Sequence, residues 1–325
     1  MNKSNSVTQT QSGFSLLVKN NLNKFAIFAI FLILCIVFSI TEPNFLTGNN
    51  IINVLRQISI TGYIAIGMLM VIITGGIDLA AGFMVGLCAC IACDFAHAGM
   101  PWGVAIIIGL AVGALFGAIS GFLISILGLP PFIATLGVKL IVNGVALIYT
   151  NGAPIANLDK GFLELGQGNL LGIPVPVIIL FIVVLFGWFI LNKTKYGRYL
   201  FAIGGNETAA RLSGVPVKLT KFAVYVISGL CSGLCGLVVS ARTAAGSPVA
   251  GQNYEMDAIT IVVIGGCSLS GGSGSISGAI GGMLLMGVVT NGMNLLNITS
   301  YWQQVVKGLI IVAAVIFDMY SKKKK

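Results

Sequence analysis

The residues most able to do chemistry are charged and amide side chains inside otherwise apolar segments. They are Arg56, Lys139, Lys307, Asn143, Asn291 and Asn294. Burying charge in a bilayer is costly and often marks a solute or ion path. For Arg56 and Lys307, near the outer ends of their segments, snorkelling to the interface is the simpler interpretation. No aspartate or glutamate lies in the middle of a predicted span, which argues against coupling to a proton or sodium gradient.

A second candidate lies in the polar loop 193–219, where a short helix is well delimited. Asn206 suits an N-cap, Glu207 suits the positive helix N-terminus and can pair with Arg211 one turn on, and Gly214 suits a C-cap. A two-turn helix in water is marginal by itself. It therefore either docks on a partner or serves only as a connector.

Motifs of soluble enzymes are missing from the sequence. The glycine-rich stretch 271–278 does not read GxxxxGK[ST], HExxH does not occur, and His97 is the single histidine. All seven cysteines lie in apolar segments, where we interpret them as packing residues because no histidine or carboxylate completes a metal-ligand set. The chain is therefore expected to be no enzyme and to bind no cofactor itself.

Composition determines what must position these residues. Of 325 residues, 57% are hydrophobic and 8% charged, and the mean hydropathy is +1.00, whereas soluble domains carry roughly 25% charge. The sequence predicts an all-α, polytopic transmembrane bundle of about ten spans. These are 25–40, 51–73, 79–96, 103–127, 131–150, 174–192, 220–241, 257–270, 275–296 and 302–319. Segment 257–270 is short and ends at two glycines, so it is a full span, a half-span or a re-entrant turn.

Positive charge predicts the topology. It concentrates before the first span, in the loop from Lys193 to Lys221, and at Lys322–Lys325. By the positive-inside rule these regions and both termini are cytoplasmic, with six spans before the loop and four after it. We divide the chain into a disordered tail 1–18, one membrane domain 19–321, and a basic tail 322–325. The net charge of +9 is thereby explained without nucleic acid.

Glycines recur at four-residue steps and predict close helix packing. Gly109, Gly113, Gly117 and Gly121 form one ridge, and Gly229 with Gly233 forms another. Two further glycine groups, at 75–82 and 265–272, are interpreted as helix ends. After them, Asp78 or Ser268 would cap the next helix.

Five motifs, in matching order, carry a family resemblance. They are GGIDLAAG at 75–82, PPFIATLG at 130–137, GGNETAARLSGV at 204–215, YEMDAI at 254–259 and VVIGGCSLSGGSGS at 262–275. From about residue 25 to 320 the chain resembles the ribose/monosaccharide-type permease subunits of bacterial ABC importers. Related branched-chain amino-acid permeases usually differ at the segment matching GGIDLAAG, which favours a sugar.

The resemblance implies a division of labour in a bacterial inner membrane. Two copies of the subunit form the pathway in the lipid bilayer, ABC ATP-binding subunits hold ATP and Mg, and an extracytoplasmic sugar-binding protein delivers solute. The implied coupling residues are Gly205, Asn206, Glu207, Ala209, Ala210, Arg211, Ser213 and Gly214. Candidate pathway residues are Asp78, Asn143, Asn291 and Asn294.

Alternatives remain at this stage. Asp78 could merely cap its helix, and Glu255 and Asp257 could either contact the binding protein or cap theirs. An ABC permease for a branched-chain amino acid or nucleoside, an ion-coupled secondary transporter, and a non-transporting scaffold are the other classes of protein considered.

Overall fold

The computed structural model describes residues 28–156 and 158–323, so the predicted tail 1–18 lies outside the described residues. The described chain is helical apart from one two-stranded hairpin and short connections. Its first seven helices and hairpin are α1 (Phe28–Thr41), α2 (Gly48–Ile73), α3 (Ala81–His97), α4 (Trp102–Ser125), α5 (Pro131–Thr150), α6 (Lys160–Gln167), β1 (Asn169–Leu170), β2 (Ile173–Pro174) and α7 (Val175–Lys193). The remaining helices are α8 (Lys195–Gly205), α9 (Glu207–Leu212), α10 (Val217–Thr243), α11 (Tyr254–Ile264), α12 (Ile276–Leu295) and α13 (Ser300–Lys323).

The all-α membrane fold is confirmed. Among the described residues, α2, α4, α5, α7, α10 and α12 are each long and apolar enough to cross a bilayer, and α1, α3 and α13 contribute shorter apolar stretches. Helix α2 lies at the centre, with 83% of its most apolar window buried, whereas α7 has 17% buried. The peripheral helices therefore present apolar side chains outward, as a lipid-facing surface requires.

The segment predicted as 257–270 proves to be short. Helix α11 has 11 residues, which at 1.5 Å per residue span about 16 Å, half of a hydrocarbon core of about 30 Å. An irregular stretch precedes it, with left-handed backbone at Ala244, Gly251 and Asn253. Gly251 packs on Gly82 at the start of α3, so this stretch runs along α3 before α11 begins.

Two other regions hold more structure than the sequence indicated. The polar loop 193–219 contains a second helix, α8, immediately before the predicted one. The loop 151–173 contains α6, and the β1–β2 hairpin begins in it. Helix α6 is tied to the end of α10, because the Gln167 amide donates to the carbonyl oxygen of Ala241 at 3.1 Å.

The glycine ridges pack as predicted. Helices α4 and α10 make the most extensive helix contact in the described chain. A Cβ atom on Gly113 would overlap the backbone of Gly229, and one on Gly121 would lie 2.8 Å from the carbonyl oxygen of Phe222. Backbones approach this closely only where side chains are missing.

The predicted capping role of Ser268 is wrong. Helix α12 is capped by Ser275, whose hydroxyl accepts from the Gly278 N–H at 3.0 Å. Asp78 does not occupy the N-cap position of α3, which is Ala80. It lies two residues earlier, where its carboxylate accepts from the Ala80 N–H at 3.1 Å. Both differences arise because the glycine-containing connections, 74–80 and 265–275, are longer than one helical turn.

Candidate functional site

Helix α9 is built from local signals and matches the predicted short helix. Asn206 is its N-cap, and the side-chain oxygen accepts from the Ala209 N–H at 2.9 Å. At the other end Gly214 adopts a left-handed conformation with φ of 82°, and its N–H donates to the Arg211 carbonyl at 3.1 Å. Both ends of the helix are thus satisfied without help from another chain.

Glu207 ties α9 to the start of α10. Its two carboxylate oxygens accept from Arg211 and from Lys221, each at 3.0 Å. Partial burial acts to raise the pKa of Glu207, but the hydrogen bonds and positive charges of Lys221 and Arg211 outweigh it and hold the pKa below its ordinary value. The carboxylate therefore stays ionised and orients the helix.

Only one side of α9 is seated on the protein. Ala210 is buried against Ile203 of α8 and Val217 of α10. Ala209 and Leu212 point away, and Leu212 is 85% exposed. Beside the helix a cleft of about 350 Å³ separates it from the turn between α4 and α5. The result is an exposed, self-capped ledge with the apolar Leu212 at its end.

The half-span α11 is held by two ion pairs. The Lys139 ammonium on α5 donates to Glu255 at 2.8 Å, and the Lys307 ammonium on α13 donates to Asp257 at 2.7 Å. Glu255 is fully buried. Lys307 is thus paired with an acid of another helix, and both acids lie in the first turn of α11 rather than in the middle of a predicted span.

A cavity of about 240 Å³ opens beside the second ion pair. Helices α2, α10, α11, α12 and α13 surround it. Its lining consists of Gln57, Ile60, Thr61, Arg242, Tyr254, Asp257, Ile261, Met286, Gly287, Thr290, Asn294 and Lys307. Amide, hydroxyl and charged groups thus face one space that is large enough for a small polar solute.

The four candidate pathway residues lie in separate surroundings. Asp78 is fully buried and accepts from the Ser228 hydroxyl at 2.7 Å, and Asn143 is half-buried on α5. Asn291 exchanges two amide hydrogen bonds of 2.9 Å with Asn50 at the start of α2. Only Asn294 lines the cavity, where it also accepts from Gln303 at 2.8 Å.

The sequence held a signal for the ion pairs that was not used. Two lysines lay inside apolar segments, and two acids lay two residues apart in YEMDAI. Because buried charges are paired with one another in membranes, complementary numbers of lone cations and anions indicate contact between distant segments. That argument joins the two sets but does not say which lysine meets which acid.

Comparison with known proteins gives a consistent result. The model of the family described as "Branched-chain amino acid transport system / permease component" matches residues 50–315. The chain is 41% identical to the ribose import permease protein of Escherichia coli K12, covering 96% of this chain and 98% of the relative. It is 44% identical to the ribose import permease protein of Bacillus subtilis 168, covering 88% and 89%.

A further relative is named for a different sugar. The D-allose transport system permease protein of E. coli K12 is 38% identical over 93% of both chains. No solved structure matches the chain.

Proposed function

The chain belongs to the permease-component family of bacterial ABC importers, and from that premise we propose that its solute is a simple sugar such as ribose. It is a multi-pass inner-membrane transport subunit rather than an enzyme. The relatives named for ribose and allose match nearly its full length, which supports a monosaccharide. The description of the family, which names branched-chain amino acid transport, supports a second candidate solute, a branched-chain amino acid.

The outer cavity suits a neutral, hydroxylated solute. Gln57, Thr61, Thr290 and Asn294 each offer both donors and acceptors. The carboxylate of Asp257 is already engaged by Lys307, so little free negative charge remains to attract an ammonium group. Drug-sized ligands occupy roughly 300–1,000 Å³, and the smaller cavity here fits a single-ring solute. Of the four candidate pathway residues, we place Asn294 on the solute route at this cavity. Asp78 and Asn291 use their polar groups within the protein, and neither they nor Asn143 lines this cavity.

Helix α9 is the proposed contact for the ATP-binding subunit. The observation that carries this proposal is its exposed, self-capped build, because a helix of six residues is marginal in water by itself and is stabilised by docking on a partner. Ala209 allows close approach, and Arg211 and Glu207 set the orientation. ATP and Mg reside on the ATP-binding subunit, which would push against α9 as that subunit closes.

The proposed topology has ten crossings and both termini in the cytoplasm. The fold supports ten crossings if the irregular stretch 244–253 and α11 together count as one crossing. Ile73 at the end of α2 and Gly204 at the end of α8 meet at one end of the molecule. Arg56 near the start of α2 bonds to Asn169 at the opposite end. A second copy would complete the pathway, and a sugar-binding protein would dock at the end carrying Arg56.

The coupling proposal is tested with the double variant Ala209→Trp/Arg211→Glu. Tryptophan would block close approach, and glutamate would repel Glu207 at one-turn spacing. We expect the ATP-binding subunit to be lost on purification and sugar-stimulated ATP hydrolysis to fall to the basal rate. Retention of both would refute the assignment, and Lys195→Ala, outside α9, serves as the control.

The solute proposal is tested by uptake into proteoliposomes that contain the complete importer. Labelled ribose, leucine and adenosine are offered separately, each with ATP and the importer's own binding protein. ATP-dependent uptake of ribose is expected, with no uptake of leucine or adenosine. Uptake of leucine alone would instead establish the second candidate.

A further inference from the structure

Three backbone segments meet at the end of the molecule that carries α9. They are the last turn of α8, the end of α2, and the loop that follows α11. The Gly272 N–H donates to the Ile73 carbonyl oxygen at 2.9 Å. A Cβ atom on Gly204 would overlap both the Ile73 carbonyl oxygen and the Gly272 nitrogen. Main chain therefore touches main chain here, with no side chain between.

The same crossing includes more glycines. A Cβ atom on Gly271 would lie 2.8 Å from the Gly75 nitrogen, and one on Gly272 would lie 3.1 Å from the Gly205 Cα. Gly271 and Gly272 both have left-handed backbone, with φ of 85° and 74°, which glycine adopts without strain. We call Gly75, Gly204, Gly271 and Gly272 the glycine junction.

The glycine junction connects α9 to the ion pairs by a short path. On one side, Gly204 is separated only by Gly205 from Asn206, the N-cap of α9. On the other, the loop with Gly272 begins where α11 ends. Helix α11 is continuous over its 11 residues and carries Glu255 and Asp257 near its far end. Backbone contacts and one short helix thus connect α9 with the cavity.

We infer that the glycine junction transmits movement of α9 to α11, so that Gly204 is a positioning residue for transport. This inference rests on the proposed role of α9 as the contact for the ATP-binding subunit. Backbone contact favours transmission because it leaves no flexible side chain to absorb a small displacement. The irregular stretch before α11 and the glycines after it permit the helix to move as a unit. Asp257 and Lys307 would then change the shape of the cavity.

The test compares Gly204→Ala with Gly137→Ala in the complete importer. Gly137 lies on α5 with no atom within 4 Å of an added Cβ, so the same chemical change causes no steric overlap there. For Gly204→Ala we expect the ATP-binding subunit to bind and hydrolyse ATP as in the wild type, while ribose uptake per ATP falls roughly fivefold or more. Gly137→Ala should keep the wild-type ratio.

Several outcomes would overturn the inference. One is an unchanged uptake-to-ATP ratio in Gly204→Ala, and another is an equal drop in Gly137→Ala. Loss of the ATP-binding subunit from Gly204→Ala would assign the residue to the interface instead. Failure of the wild type to bind that subunit, or insensitivity to Ala209→Trp/Arg211→Glu, would refute the proposed function itself and is thereby distinguished.

A second measurement applies if Gly204→Ala does not fold. Hydrogen exchange of the wild-type complex is followed with and without nucleotide on the ATP-binding subunit. Exchange should change together in residues 204–214 and 254–275, including the Gly272 amide that bonds to Ile73. A change confined to 204–214 would contradict transmission through the junction.

Discussion

At α9, Glu207 meets Arg211 four positions away and Lys221 fourteen positions away, with side chains that water still reaches. Around α11, Glu255 meets Lys139 across 116 positions of sequence and is sealed from solvent. The ion pairs of Glu207 form and break with little change in free energy, because water solvates their members either way. Glu255 must stay paired with Lys139, since an isolated buried charge is costly.

This difference suits the roles that we propose for α9 and α11. A surface that engages and releases a partner in each cycle benefits from charges that lose little on rearrangement. A half-span inside a membrane needs a defined position, which buried pairs to α5 and α13 provide. Binding is thus separated from positioning, and the changes below test that separation from the largest expected effect to the smallest.

Lys139→Met should have the largest effect on folding. It leaves Glu255 buried without a counter-charge, and removing one partner of a buried pair costs about 3–5 kcal/mol. The double variant Lys139→Met/Glu255→Gln should recover most of the loss. The free energy of unfolding in mixed detergent micelles measures both. If Lys139→Met lowers the free energy of unfolding by less than the loss of a surface ion pair does, the contrast between the two regions is contradicted.

Asn50→Leu should have an intermediate effect. It removes the partner of the Asn291 amide, which is 5% exposed, and an unsatisfied buried polar group costs about 1–3 kcal/mol. Because no net charge is stranded, the loss should be smaller than for Lys139→Met. Asn143→Leu is the control, at a half-buried amide that makes no side-chain hydrogen bond within the described chain. If Asn50→Leu lowers the free energy of unfolding more than Lys139→Met does, buried charge is not what distinguishes the interior from the surface at α9.

Lys307→Met should change transport more than stability. Asp257 keeps 14% side-chain exposure beside the cavity, so water partly compensates the freed carboxylate. We expect an unfolding loss of about 1–3 kcal/mol, together with a change in which solutes compete with ribose for uptake. An unaltered competition profile would remove the ion pair from the solute route.

Glu207→Gln should have the smallest effect on stability, at about 1 kcal/mol or less. The folded pKa of Glu207 lies below its ordinary value of 4.5, so its ionised form stabilises α9 above that pH. The contribution is lost as pH falls through the lower folded pKa. Amide exchange in 207–213, compared at about pH 6 and about pH 3, should show the loss in wild type and not in Glu207→Gln. Equal pH dependence in both would locate the titrating group elsewhere.

What the sequence could predict follows the same division. Helix α9 rests on contacts within nine residues, namely the Asn206 cap, the Glu207–Arg211 pair and Gly214, and each is readable from local chemistry. The glycine ridges were equally readable because four-residue spacing fixes a helix face. The short length of segment 257–270 was readable as well, but the irregular stretch before α11 was not, since it is held by packing along α3 and by the pairing of Gly246 with Ile155.

The pairings of Lys139 and Lys307 lay further beyond reach. Each lysine has two acids of the same chemistry available two residues apart, and the choice depends on how α5, α11 and α13 are arranged in space. Asn291 shows the same limit, because its amide is used by Asn50 on a helix that begins more than 240 positions earlier. Polar residues in membrane segments could therefore be identified as important without revealing whether they hold the fold or face the solute.

The central claim is that α9 receives the ATP-binding subunit, and site-specific photo-crosslinking tests it most directly. A photo-reactive amino acid is placed at Ala209 on the exposed side of α9 or at Leu171, which is 96% exposed at the opposite end. In the assembled importer, position 209 should crosslink to the ATP-binding subunit and position 171 should not. An intact complex that yields the adduct from position 171, or none from position 209, would contradict the account.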